Sequence, residues 1–94
     1  MITVEARMDR MGNIEVAPVS AQWRDKFCAI VQENGGGNAR TAFFQEGTGA
    51  GDFLENDCPP RKRGELKRGY TVRFRADPWV VGHWYGYDAY TAAE

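Results

Sequence analysis

Residues 2–8 read Ile-Thr-Val-Glu-Ala-Arg-Met, and this stretch is the clearest indication of the fold class. Apolar side chains occupy every second position, and polar side chains stand between them. An alternation with a period of two is typical of a half-buried β-strand. Residues 9–13 supply turn-forming side chains, and the alternation resumes over residues 14–16 before Pro18. The sequence therefore predicts an N-terminal β-hairpin.

A second alternating stretch covers residues 70–76 and is followed by an Asp-Pro turn, which predicts another strand. The next segment, residues 79–90, is rich in aromatic side chains but contains Gly82 and Gly86. A glycine inside a helix costs about 1 kcal/mol relative to alanine. One or two strands are therefore expected in this C-terminal segment, rather than a long helix.

Two interpretations stay open for residues 20–34. In the first, Ser20 caps a helix that places its apolar side chains on one face. In the second, residues 27–31 form a short buried strand. The three successive glycines that follow would then form a hairpin loop, which leads into a strand over residues 39–45.

Charge is segregated along the chain, although the formal net charge is only −1. Residues 46–60 contain three glycines, two prolines and four acidic residues, with no basic residue, which predicts a long acidic loop. Residues 61–75 contain seven of the twelve basic residues and one acidic residue, so this segment carries a charge of +6. Such a basic patch is the electrostatic footprint expected of a nucleic-acid-binding surface.

These segments predict a single, mainly β domain over residues 1–94, built from about five strands. A small five-stranded barrel or a curved antiparallel sheet is the expected architecture. The alternative is an α+β fold with one helix at about residues 20–33.

A family resemblance rests on three segments. Residues 66–74 read Leu-Lys-Arg-Gly-Tyr-Thr-Val-Arg-Phe and resemble the pattern Leu-x-x-Gly-x-x-Val-x-Phe, the fourth strand of cold-shock-type OB-fold domains. Residues 42–45 resemble that family's Val-Phe-Val-His motif, and residues 25–30 stand where its Lys-Gly-Phe-Gly-Phe-Ile would be. The resemblance implies an OB-like, five-stranded barrel that binds single-stranded nucleic acid by stacking bases on aromatic side chains. It places Phe27 and Phe43 at matching motif positions.

We expect the chain to act by binding, with single-stranded DNA or RNA as its partner. Arginine and lysine near phosphates release condensed counterions, and aromatic faces stack bases with about 1–3 kcal/mol each. The expected binding residues combine the two matching phenylalanines, a nearby tryptophan and the seven basic residues. They are Trp23, Phe27, Phe43, Arg61, Lys62, Arg63, Lys67, Arg68, Arg73 and Arg75.

A protein-binding accessory or inhibitor module is the alternative function, because aromatic side chains are enriched at interface hot spots. The acidic loop and the aromatic tail would then form the contact surface. Its expected residues are Asp52, Glu55, Asp57, Trp84, Tyr85 and Tyr87. The exposed aromatic side chains separate the two functions. Exposure of Trp23, Phe27 and Phe43 beside the strand arginines favours nucleic acid, and exposure of the tail favours a protein.

Other classes of function have little support in the sequence. His83 is the single histidine and has no recognisable nucleophile or metal-ligand pattern around it, so no enzyme, metal site or cofactor is expected. Cys28 and Cys58 form no CxxC motif, which favours a reducing, cytoplasmic setting, while a bridge between them stays open. No run approaches the ~18 apolar residues of a membrane span. A monomer or a homodimer is expected, the latter if residues 2–8 form an edge strand that pairs with a second copy.

Overall fold

The structure is a computed structural model that describes residues 1–86; the prediction for Tyr87 lies outside the described residues. Within this part of the chain, four strands, four helices and a single π-helical turn follow one another. They are β1 (Ile2–Met8), β2 (Ile14–Pro18), α1 (Ala21–Glu33), β3 (Ala42–Phe44), α2 (Thr48–Asp52), the π-helical turn (Phe53–Asp57), α3 (Pro60–Arg63), β4 (Thr71–Ala76) and α4 (Pro78–Tyr85).

The four strands form one antiparallel sheet in the order β3-β2-β1-β4. β1 pairs with β2 through the predicted hairpin and with β4 on its other side, so that Arg7 lies opposite Glu15 and Glu5 lies opposite Arg73. Both strands predicted from alternation are confirmed. The condition named for a homodimer is not met, because β4 covers the second side of β1; within residues 1–86 the edge strands are β3 and β4.

Asp9 organises the turn between β1 and β2. Its carboxylate accepts hydrogen bonds from the backbone N–H groups of Met11 and Asn13, at 2.8 and 2.9 Å. Slight burial opposes ionisation, but these bonds and one from the Asn13 amide together lower the pKa of Asp9. Gly12 completes the turn at a φ of +91°, a conformation that glycine adopts without strain. Turn chemistry therefore fixes the hairpin register.

For residues 20–34 the structure shows the helix, and the alternative strand at residues 27–31 is not formed. Ser20 is the N-cap and its hydroxyl accepts a bond from the Trp23 N–H at 3.4 Å. Phe27 and Ile30 lie on the buried face of the helix. Beyond the C-cap, Gly35 has a φ of +82°, so the first of the three glycines ends the helix instead of forming a hairpin loop.

Residues 46–60 form short helices, so the predicted long loop is wrong. Phe53, which is fully buried, anchors this segment. Its ring packs against the rings of Phe44, Phe74 and Trp84 at centroid distances of 4.7, 6.5 and 5.3 Å. Aromatic packing of this kind stabilises beyond simple area burial and holds a glycine-rich segment in helical form.

The strands expected after residue 78 are likewise replaced by α4. Asp77 caps this helix by accepting a 2.8 Å bond from the Trp79 N–H, and Pro78 occupies the first turn. Val81 and Trp84 face the core, with Val81 fully buried. Capping and burial together outweigh the cost of Gly82, because a single glycine costs only about 1 kcal/mol.

Within residues 1–86 the helices pack on one face of the sheet and leave the other face open. The core lies between these two layers. It contains Val4, Ala6, Ile14, Val16, Phe27, Ile30, Phe53, Val72, Phe74 and Val81. The predicted antiparallel sheet is confirmed, whereas residues 1–86 contain four strands in an open sheet and not a closed five-stranded barrel. The architecture is α+β, the alternative fold, with more helices than the one expected.

Candidate nucleic-acid interface

The open face of the sheet consists of the strand side chains that point away from the helices. Burial alternates along β4, where Thr71, Arg73 and Arg75 are exposed and the residues between them are buried. The same alternation in β1 and β2 places charged residues on this side. The open face comprises Thr3, Glu5, Arg7, Glu15, Ala17, Phe43, Thr71, Arg73 and Arg75. Three arginines against two glutamates give this face a net positive charge.

Neighbouring strands place unlike charges opposite each other on the open face. Arg73 Nε donates to Glu5 Oε2 at 2.9 Å, across the β1–β4 pair. Arg7 lies opposite Glu15, and Glu15 lies opposite Phe43 on β3. One row across the sheet therefore carries an aromatic ring, a carboxylate and a guanidinium in succession.

A groove of about 290 Å³ lies on the open face. Its charged walls include Glu5, Arg7, Arg73 and Arg24, the last of which comes from the first turns of α1. The Nη1 atom of Arg24 donates to the backbone oxygens of Pro18 and Val19 at 2.9 and 2.8 Å, which fixes the guanidinium at the border of the sheet. The groove is therefore lined by three arginines and by two glutamates, Glu5 and Glu15, which leaves it with one excess positive charge.

The structure separates the three aromatic residues predicted to stack bases. Phe43 is 55% exposed and lies on the open face, as expected. Phe27 is 1% exposed and belongs to the core, so its predicted role as a stacking surface is wrong. Trp23 is half-buried, stacks on Phe27 at 5.6 Å and carries the Lys26 ammonium 4.9 Å above its ring. Phe43 is therefore the one member of this trio that is exposed on the open face, where it lies on β3, at the opposite edge of the sheet from Arg73 and Arg75.

The predicted basic residues fall into groups. Arg73 and Arg75 lie on β4, and Arg75 Nη2 donates to the Met1 backbone oxygen at 2.8 Å. Arg61 and Lys62 lie on α3, and together with Arg75 they line a second groove of about 440 Å³. Arg63 turns away from it, because its Nη2 donates to the Glu55 backbone oxygen at 3.1 Å.

Lys67 and Arg68 lie beyond the other end of β4. The Arg68 guanidinium lies beside Gly12 in the β1–β2 turn, and Lys67 borders a separate cleft together with Tyr70 and Thr71. The structure thus brings Arg75 together with Arg61 and Lys62, whereas Arg73 lines the groove on the open face and Lys67 and Arg68 lie elsewhere.

The residues of the protein-binding alternative are also divided. Asp52, Glu55 and Asp57 are exposed, and partial burial raises the pKa of Asp57, an effect that the neighbouring Trp84 indole only partly offsets. Trp84 packs within the core cluster. The aromatic tail, as far as the structure describes it, is mainly a packing element.

Tyr85 is likewise committed to internal contacts. Its hydroxyl donates to the Arg40 backbone oxygen at 2.9 Å, and its ring stacks on Phe27 at 5.1 Å. Burial raises the pKa of Tyr85 to about 12.

Sequence reasoning missed two arginines of the site, Arg7 on the open face and Arg24 at its border. Arg7 stands on the polar side of the alternating stretch that predicted β1, so its position facing the strand arginines follows once β1 and β4 are paired. That pairing is a long-range contact and leaves no local signal. Arg24 carries no signal at all, because its place at the sheet border depends on how α1 leaves β2.

The remaining site predictions concern metals, thiols and membranes. Within residues 1–86 no group of three or more His, Cys, Asp or Glu could hold a metal ion. Cys28 and Cys58 are both free and buried, and burial raises the pKa of the Cys58 thiol. No helix between Met1 and Gly86 is long and apolar enough to cross a membrane. Comparison with known proteins gave no match to a family model, to a curated protein or to a solved structure.

Proposed function

We propose that the chain binds single-stranded nucleic acid on the open face of its sheet. The observation that carries the proposal is the exposed ring of Phe43 on the same face as Arg7 and Arg73. A stacking surface beside cations is the combination that single-strand binders use, because bases lie on aromatic rings while the cations follow the phosphates.

The charge of the open face supports an anionic partner. Its three arginines and the adjoining Arg24 exceed its two glutamates by two charges. Arginine suits phosphate well, because its planar guanidinium offers five N–H donors in a fixed arrangement. Because Glu5 partly neutralises the charge of Arg73, we expect a modest affinity for the nucleic acid at physiological salt.

The shape of the site favours a single strand over a duplex. An open four-stranded sheet gives a broad platform, and no helix in residues 1–86 projects from that side to enter a major groove. A single strand can splay a base out of its own stack and place it on an exposed aromatic ring of such a sheet.

Fluorescence anisotropy with a labelled oligothymidylate tests the proposal directly. The titration is repeated at about 50 mM and about 200 mM salt, because phosphate contacts weaken steeply over this range. We expect saturable binding that weakens with salt, and competition by an unlabelled single strand but not by a duplex of equal length. Absence of binding at the lower salt concentration overturns the proposal.

Protein binding remains the second candidate, with one observation in its favour. Trp79 and Val80 on α4 are 41% and 37% exposed, which is large for adjacent apolar side chains. This surface differs from the predicted set, because Trp84 and Tyr85 point inward. If the oligonucleotide titration fails, Trp79 and Val80 are the first positions to substitute in a search for a protein partner.

A further inference from the structure

We propose that the nucleic-acid site continues around the β4 edge into the groove between β4 and α3, which serves as a second phosphate subsite. This inference rests on the proposed function and extends it to a longer stretch of the same strand. Arg75 connects the two regions, because it is a member of the open face and also lines the groove.

The groove has the composition expected of a phosphate subsite. Arg61, Lys62 and Arg75 supply three positive charges, and Glu65 opposes them with one. Pro59 and Phe74 line the apolar part of the same groove. At about 440 Å³ it is larger than the groove on the open face. An anionic backbone with an attached sugar or base fits a site with basic walls and an apolar floor.

The cations of the groove are weakly engaged within the described part of the chain. Arg61 makes no hydrogen bond or ion pair with residues 1–86. The Lys62 ammonium is 4.0 Å from the Glu65 carboxylate, and both side chains are exposed, which gives a weak pair. Arg75 donates to Met1 through Nη2, and its guanidinium has further N–H donors available.

The spacing of the strand arginines matches a chain of phosphates. Arg73 and Arg75 are two residues apart on β4, and such residues are separated by about 6.7 Å along a strand. This is close to the separation of adjacent phosphates in an extended nucleic-acid strand. A strand that contacts Arg73 and then Arg75 therefore reaches the α3 groove with its next phosphates.

The inference predicts a dependence on oligonucleotide length. The sheet has three gaps between strands of about 4.8 Å each, so its width of about 14 Å is covered by an oligothymidylate of about four nucleotides. A strand of about ten nucleotides extends well beyond the width of the sheet and has phosphates left to reach the groove. A longer strand also offers more binding registers, which raises its apparent affinity. The affinities of the variant and wild-type proteins are therefore compared for the same oligonucleotide.

The test compares the double variant R61S/K62S with the wild-type protein by anisotropy. We expect the variant to bind the long strand more weakly, while its affinity for the short strand is unchanged. Each lost phosphate contact lowers the slope of log affinity against log salt by about 0.7 for a single strand, so the slope for the long strand should fall by about 1.4. R10S/K26S removes the same charge away from the groove and is the matched control.

A third variant, E65Q, distinguishes a lost phosphate contact from a loss of folding, because it is expected to raise the affinity and a folding defect would lower it. It removes the one opposing charge, so it should tighten binding of the long strand and leave the short strand unchanged. Equal behaviour of R61S/K62S and the control on the long strand overturns the second subsite while leaving the open-face function intact. Failure of the wild-type protein to bind either strand overturns both proposals.

Discussion

Arg73 Nε donates a 2.9 Å hydrogen bond to Glu5 Oε2 on the open face, between the edge strand β4 and its neighbour β1. Both side chains are largely exposed, at 62% and 43%. An exposed ion pair contributes about 0.2–1 kcal/mol to stability, so Glu5 holds the arginine only weakly. Glu5 is therefore expected to compete with a phosphate for Arg73 rather than to be essential to the fold.

The substitution Glu5→Gln should strengthen binding of single-stranded nucleic acid. It removes the competing charge and keeps a side chain of the same shape, so the affinity at low salt should rise by up to about fivefold, the equivalent of about 1 kcal/mol. The measurement is an anisotropy titration with a labelled oligothymidylate. Glu33→Gln, at the end of α1, changes the net charge equally but lies off the open face. An equal gain in both variants would show that net charge alone is responsible.

The substitution Phe43→Ala should weaken binding by at least about fivefold, because loss of one stacked base costs about 1–3 kcal/mol. The dissociation constant should rise, and its dependence on salt concentration should stay almost the same, since no phosphate contact is removed. Tyr70→Ala is the matched control, because Tyr70 is 61% exposed but precedes β4 and lies outside the open face. Equal losses in the two variants would contradict a stacking role for Phe43.

The substitution Phe53→Ala should lower the free energy of unfolding by about 3–5 kcal/mol, because it leaves a cavity beneath Phe44, Phe74 and Trp84. Urea denaturation followed by tryptophan fluorescence measures the change. Phe53→Leu fills part of the cavity and should cost less, which keeps the prediction measurable if the alanine variant does not fold. Phe43→Ala, at an exposed position, should change stability by less than about 0.5 kcal/mol. If all three variants lose a similar, small amount of unfolding free energy, the prediction that Phe53 is a main contributor to the core is contradicted.

The strands were predictable where one face of the strand is buried and the other is exposed to solvent. Residues 2–8 and 70–76 meet this condition, so a period of two appears in the sequence itself. The helices α2 and α4 were not predictable in this way, because residues 46–60 and 78–85 contain glycines that disfavour helices locally. Their helical form depends on Phe53 and Trp84 meeting in the core, which is a tertiary effect.

The candidate site was predictable only in part for a related reason. The sequence indicates that Phe43 is aromatic and that β4 is basic, and both lie on the open face. It does not indicate that β3 and β4 are the two edges of one sheet, with Arg7 between them. Strand order arises from long-range pairing, which leaves no local pattern in the sequence. The resemblance to a barrel family predicted Phe27 to be exposed on a strand, whereas Phe27 lies on the buried face of helix α1.

The hydroxyl of Tyr85 should titrate at unusually high pH. Burial raises the pKa of Tyr85 to about 12, from a usual value of 10.0. Between these two values the unfolded chain loses the proton and the folded protein keeps it. The unfolded state therefore binds fewer protons, and the contribution of Tyr85 makes stability fall as the pH rises from 10 towards 12. Below pH 10 this contribution does not vary with pH.

Ultraviolet absorbance during an alkaline titration of the folded protein measures this ionisation, and Tyr85→Phe should remove the component at the highest pH. The same variant should lose about 1 kcal/mol of stability at neutral pH, because the hydrogen bond to the Arg40 oxygen is lost. Tyr70→Phe is the control, since Tyr70 is mostly exposed. If Tyr70→Phe removes the high-pH component and Tyr85→Phe does not, the packing of α4 against α1 differs from that described.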